Sequence, residues 1–229
     1  MKILTPNFHG LKRWDFKSAL AEDFRAAHAD FVPLGTFVEE ATDLVNPASE
    51  PAKEWPVYGV SARDGVFFSH SQAGGAFKGN YKRIRRDWFF HNPTRANIGS
   101  IGRVPEVPSD ALTSPEYQVW RPKKGVDPDY IEVLVKSRLF VSLVEIHRVG
   151  SVKERLFVAN LLEIPVPVLS NVEQAALIKG VRAAKQELII AQQNLAVEMR
   201  LSEKKLSQRV SAEYLDFATS ASSDVHSLE

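Results

Sequence analysis

The side chains that stand out for their chemistry are cations. Between Ser61 and Pro105 the chain carries Arg63, Lys78, Lys82, Arg83, Arg85, Arg86, Arg95 and Arg103 against only Asp64 and Asp87. The preceding stretch, Glu22 to Glu54, has the opposite bias, eight acidic residues to two basic. A strongly positive segment inside a chain of net charge +1 suits a surface that faces a polyanion. Lys78, Lys82, Arg83, Arg85, Arg86 and Arg103 are of the type that neutralises phosphates. Arginine also grips guanine bidentately and amides grip adenine, so Arg63, Ser69, His70, Gln72, Asn92, Arg95 and Asn97, read as lying in or beside loops, are candidates for reading bases. Tyr81, Trp88, Phe89 and Phe90 are interleaved with these cations, and their alternation assigns them mostly to the core.

Catalytic arrangements are missing from the pattern. There is no cysteine, which removes thiolate nucleophiles, thiolate metal sites and disulfides and fits a reducing compartment. No Gly-x-Ser-x-Gly elbow occurs, and Gly74-Gly75-Ala76-Phe77-Lys78-Gly79 has neither phosphate-loop spacing nor the dinucleotide fingerprint. His9, His28, His70, His91, His147 and His226 are scattered, with no pair at the spacing of a helical metal site. Glu116, Asp127 and Asp129 are too poorly grouped to favour a metal-dependent nuclease. The reading is of a non-catalytic chain with no metal and no cofactor of its own.

The elements that must hold these residues divide the chain into five parts. Residues 1–30 read as an arm with a short helix, Phe16, Ala19, Leu20 and Phe24 on one face. Residues 31–160 have the short segments and Gly/Pro punctuation of a mixed α/β domain. Its expected strands include Val57–Val60, Gly65–Phe68, Arg86–Phe90 and Tyr117–Trp120, with a turn at Arg63-Asp64-Gly65 and a flexible loop over Ser71–Gly75. A helix is expected from Asp129 to Phe140. Residues 161–170 form an extended strap, since Pro165 and Pro167 forbid a helix there.

Residues 171–215 read as one long helix, opened by Ser170 or Asn171 with Glu173 or Gln174 completing a capping box. Leu177, Val181, Ala184, Leu188, Ala191 and Leu195 recur at alternating intervals of four and three, a heptad seam that Met199, Leu206 and Val210 continue after a slip. A domain this small cannot cover such a stripe, so the seam asks for a second helix, most simply from another copy. Residues 216–229 read as a disordered tail. The fold class is thus α+β: one mixed α/β domain followed by a long C-terminal coiled-coil helix. No segment has the length of a signal peptide core or the roughly 18 apolar residues of a membrane span, so a soluble, cytoplasmic protein is expected.

Several stretches together resemble the specificity subunit of type I restriction–modification systems. They are Arg13-Trp14-Asp15, Val32 to Phe37, Tyr81 to Phe90, Ser114 to Val119, Asp129-Tyr130-Ile131, and above all Ile164-Pro165-Val166-Pro167-Val168-Leu169-Ser170-Asn171-Val172-Glu173-Gln174. No one stretch is specific, but their order and spacing over about residues 13–200 is. The resemblance implies a target-recognition domain that reads a few base pairs of double-stranded DNA, and a spacer helix. It also implies partners: a DNA adenine methyltransferase subunit that carries S-adenosylmethionine, and a restriction nuclease/translocase subunit. The family's full-length subunit has two such domains and two such helices, packed antiparallel; this chain has one of each and resembles a half-subunit. A homodimer reading a split, symmetric site is the expectation. A protein-binding adaptor with the same fold, the recognition fragment of a larger restriction enzyme, and a small nuclease are the alternatives.

Overall fold

The computed structural model describes residues 30–207, together with Lys17 and Leu20, which are both helical. Of the expected arm helix, Phe16, Ala19 and Phe24 lie outside the described residues, as do Val210 and residues 216–229. The chain divides into two units between Ile178 and Lys179.

The first unit is layered. One sheet has four strands in the order β2 (Val38–Glu40), β10 (Gln118–Pro122), β7 (Phe89–His91), β8 (Ile101–Arg103). A second has five, in the order β3 (Leu44–Val45), β6 (Tyr81–Arg83), β9 (Leu112–Thr113), β4 (Glu54–Ser61), β5 (Gly65–Ala73). Strand alternation sorts the aromatics of the four-stranded sheet. Phe89 lies opposite Trp120, and both enter the larger core with the helices. Phe90 lies opposite Val119, and both face a second core with Val60, Ile84 and Val104. A third, smaller core joins Trp55, Val57, Phe77 and Leu112. The aromatics interleaved with the cations are thus mostly interior, with Phe89 and Phe90 fully buried.

The larger core is completed by α1 (Pro128–Lys136), α2 (Arg138–His147) and α3 (Val158–Leu162). The helix expected over Asp129–Phe140 is two helices. At Ser137 the backbone turns extended (ψ 148°) and the hydroxyl caps α2 by accepting from the Phe140 N–H at 3.1 Å, so a residue read as part of a helical face is an N-cap. Three further expectations are corrected. Ser71–Ala73 is not a flexible loop but the end of β5. Gly74 is buried where a Cβ would stand 2.2 Å from the Glu50 carbonyl oxygen, so the glycine serves close packing. Arg86 and Asp87 precede β7 rather than belong to it, because Asp87 sits at φ 67°. The strap is a strand only at β11 (Pro165–Pro167), which pairs antiparallel with β1 (Phe31–Pro33), while Leu161 and Leu162 end α3.

The long helix α4 runs Asn171–Ser207, about 55 Å at 1.5 Å per residue. Its start is the capping box: Ser170 Oγ accepts from the Glu173 N–H, and Glu173 accepts from both the N–H and the hydroxyl of Ser170. Ile178 is buried in the larger core, so the domain reaches two turns further into the helix than the 170/171 boundary. Beyond it Leu188, Leu195, Met199 and Leu206 are all more than half exposed.

His91 ties the strand layer to α3. Its ring is fully buried; Nδ1 accepts from Trp120 Nε1–H at 3.2 Å, which leaves Nε2–H to donate to the Leu156 carbonyl at 2.9 Å. Burial lowers its pKa from 6.5 to about 4, against the opposing pull of the Leu156 hydrogen bond. The unfolded chain therefore takes up this proton first as pH falls. The stability His91 contributes is intact above pH 6.5 and is lost as pH falls towards 4, on the order of 3 kcal/mol in all. Denaturant titrations across that window should show the slope in the wild type and lose most of it in His91→Gln; equal slopes would refute the assignment.

Candidate nucleic-acid interface

The structure separates the sequence-predicted cations into two groups with different fates. The first group is largely committed to carboxylates from outside the basic window. Arg103, expected to face phosphate, is four-fifths buried and bonds Asp87 at 2.6 Å, Asp129 at 2.5 Å and Glu132 at 3.4 Å. Burial works against its charge, and the bonds to Asp87 and Asp129 outweigh it and raise its pKa. It is an internal tie between β8 and α1, which corrects the expectation. Lys82 is half-buried with its ammonium on the Tyr117 carbonyl, and desolvation lowers its pKa against the pull of Glu40 and Glu116. Arg83 bonds the Ser109 carbonyl, Arg85 bonds Asp43 at 2.7 Å, and Arg86 bonds Glu106 at 2.7 Å. Arg85 and Arg121 also flank the Trp88 ring, 5.6 and 5.7 Å from its centroid, in a groove whose walls include Glu40 and Asp43. The opposite charges of that groove answer one another.

The second group sits on loops that the fold gathers. Arg63 is 93% exposed at the β4–β5 turn and, among the described residues, is held only by its neighbour Asp64. That turn uses Gly65 at φ 67°, the Asp-Gly geometry read from the sequence. It abuts the next loop: a Cβ on Gly99 would lie 3.9 Å from Ala62, and one on Gly102 would collide with Val66 and Gly65. The second loop, residues 92–99, presents Arg95, exposed and with no side-chain partner among the described residues, and Asn97. Asn92 turns inward, its Oδ1 accepting from both the N–H and the hydroxyl of Thr94. A third loop, the hairpin between Val149 and Arg155, joins by the Leu156 N–H to Pro93 carbonyl bond at 2.9 Å. It adds Lys153, exposed and likewise without a partner among the described residues, and Val152, fully exposed. Three loops from distant parts of the sequence so form one ribbon bearing Arg63, Arg95 and Lys153.

Ser69, His70 and Gln72 are on β5 rather than in loops. This strand is an edge of its sheet, and a register shift opposite Val57/Tyr58 leaves Ser69 as the extra residue. Ser69 Oγ and His70 Nδ1 are 3.1 Å apart on the exposed strand, beside the exposed rings of Phe67 and Phe68. Lys78 is exposed after the 3-10 turn at Gly74–Ala76, with no partner among the described residues. Sequence reasoning missed the hairpin at 149–155 because it is outside the basic window; Gly150 within a charged run was its only signal. Among the described residues no cluster of three metal-ligating side chains occurs, and no helix is long and apolar enough to cross a membrane.

Comparison with solved structures decides the fold. The HsdS subunit from Thermoanaerobacter tengcongensis superposes with a TM-score of 0.54 at 19% identity, over 74% of this chain and 47% of that one. The chain has the HsdS fold. A chain from a structure of the type I R-M system, described for its complex assembly and conformational transition, gives a TM-score of 0.57 at 16% identity, over 76% of this chain and 46% of that one. This chain therefore spans about half the length of the HsdS-fold chains it matches. No family model and no curated protein matches it. The HsdS fold agrees with the resemblance drawn from the ordered sequence stretches and with the α+β class expected there.

Proposed function

We propose that this chain is the DNA-reading half-subunit of a restriction–modification complex. It reads double-stranded DNA with its first unit and pairs with a second copy through α4. The observation that carries the reading is the loop ribbon of Arg63, Arg95 and Lys153 on an HsdS-fold domain. Exposed cations supply backbone affinity and orientation, and neighbouring polar groups such as Asn97 and, on β5, Ser69 and His70 are available to base edges. The described residues form one reader, and α4 offers an exposed seam on which a second copy can pair. A homodimer supplies the second and makes the site symmetric and interrupted.

The exposed helix supports more than one partner. The seam Leu177, Val181, Ala184, Leu188, Ala191, Leu195, Met199 and Leu206 is one stripe. Ile190, Val197 and Leu201, each about half exposed, form another about 145° around the helix at 3.6 residues per turn. A second copy on the seam leaves the other stripe for a different chain, which in this reading is a DNA adenine methyltransferase that brings S-adenosylmethionine. A nuclease/translocase subunit completes the complex. The chain itself performs no chemistry.

Methylome sequencing of cells that express this chain with its methyltransferase tests the proposal. Methylated adenines in a two-part palindromic motif, absent when the chain is deleted, are expected. Methylation that is unchanged by the deletion would refute it.

A further inference from the structure

Beneath the loop ribbon a cleft of about 660 Å³ opens between residues 94–95 and the hairpin at 149–155. Hydrogen bonds brace it on both sides. Val149 and Arg155 exchange two backbone hydrogen bonds of 2.8 Å, and Gly150, at φ 122°, closes the hairpin where a Cβ would stand 2.7 Å from the Lys153 carbonyl oxygen. The Leu156–Pro93 bond fixes this hairpin to the neighbouring turn, and Asn92 fixes the turn itself.

The charges in and behind the cleft do not cancel. Glu154 in its wall is held by Lys17 and by Arg148 at 3.5 Å; Glu145 behind it is held by Arg148 at 3.0 Å and by Lys17 at 3.8 Å. The Lys17 contact keeps the Glu154 carboxyl below its ordinary pKa. Two cations therefore answer these two carboxylates. The Arg148 side chain is about nine-tenths buried, and its Nε–H has no acceptor among the described residues. Arg95 and Lys153 remain at the mouth with neither carboxylate nor hydrogen-bond acceptor among the described residues, and Ser151 adds a hydroxyl between them. The Thr94 hydroxyl is already donated to Asn92.

We infer that this cleft is a phosphate clamp: Arg95 and Lys153 close on one backbone phosphodiester of the DNA duplex. The inference rests on the DNA-reading proposal and adds a site to it. A planar guanidinium and an ammonium lining one cleft suit a singly charged, tetrahedral group with two free oxygens. The hairpin places this clamp in the same ribbon as Arg63, so a phosphate held here sets the register in which the other loops meet the bases. Such a contact orients the duplex and carries no base preference.

Salt titrations of duplex binding by the full chain, alone and with its methyltransferase, test the clamp, with a random-sequence duplex as probe. Arg95→Gln/Lys153→Gln should reduce the magnitude of the slope of log affinity against log salt by about 1, the value for one neutralised phosphate, and Lys153→Gln alone by no more than that. Thermal midpoints should stay at the wild-type value, because both side chains are exposed and have no partner among the described residues. Wild-type binding with an unchanged slope in the double variant would overturn the clamp and leave the DNA reading standing. A wild-type chain that binds no duplex at low salt in either form would overturn both.

Discussion

Leu188→Glu combined with Leu195→Glu is expected to leave the chain monomeric at concentrations where the proposed wild-type dimer forms. Both leucines lie on the heptad seam and are about 60% exposed, so the substitutions remove nothing from the domain core. Covering a leucine side chain is worth roughly 1.5–3 kcal/mol. In a symmetric pair each substitution is felt twice, so the double variant forfeits on the order of 6–12 kcal/mol before charge repulsion is counted. A micromolar dimer holds together by about 8 kcal/mol. Light scattering reads the mass, and thermal unfolding of the domain serves as the control, since its midpoint should move little. Glutamates at Ile190 and Val197, on the other stripe, should leave the dimer intact and weaken binding of the methyltransferase. A double seam variant that stays dimeric would remove α4 as the pairing element.

Trp120→Ala should be among the most damaging single substitutions in the first unit. Trp120 is fully buried, stacks on Phe89 with ring centroids 4.7 Å apart, and donates the hydrogen bond that fixes the tautomer of His91. Truncation of a buried tryptophan costs about 3–5 kcal/mol, and here it also strands the His91 Nδ1 lone pair. For a domain of this size that corresponds to a fall in melting temperature of roughly 6–20 °C. Trp120→Phe separates the two contributions: it keeps an aromatic on Phe89 and removes the donor, for about 1–3 kcal/mol. Calorimetry of the three proteins checks the order. A melting temperature for Trp120→Ala equal to the wild type would show that the strand layer does not depend on this stack.

Local sequence rules suffice where the determining contacts are near in the chain. The Ser170–Glu173 capping box, the Asp-Gly turn at residues 64–65 and the periodicity of α4 are of this kind: their partners are within four residues, and spacing states the geometry. The burial of Phe89 and Phe90 on opposite faces of one strand also follows from alternation alone. Ser137 shows the limit. Its apolar neighbours continue a helical period, yet its hydroxyl finds the Phe140 N–H and starts a new helix, a competition that a periodic pattern does not register.

The charge of the basic segment was legible as composition and misleading as a surface. Counting within residues 61–105 leaves out Asp43, Glu106, Asp129 and Glu132, which the fold brings to Arg85, Arg86 and Arg103 from as far as 42 residues away. Coulomb interaction depends on distance in space, and a window along the chain measures another distance. The same reasoning explains why Lys153 escaped notice. The sequence by itself determined the long seamed helix, the class of the domain and the kinship in fold with HsdS. Only the tertiary structure decided which cations are tied to groups on other elements and which stand out on the ribbon, because a carboxylate brought in from a distant element holds a guanidinium in place, while Arg63 is met by its chain neighbour Asp64.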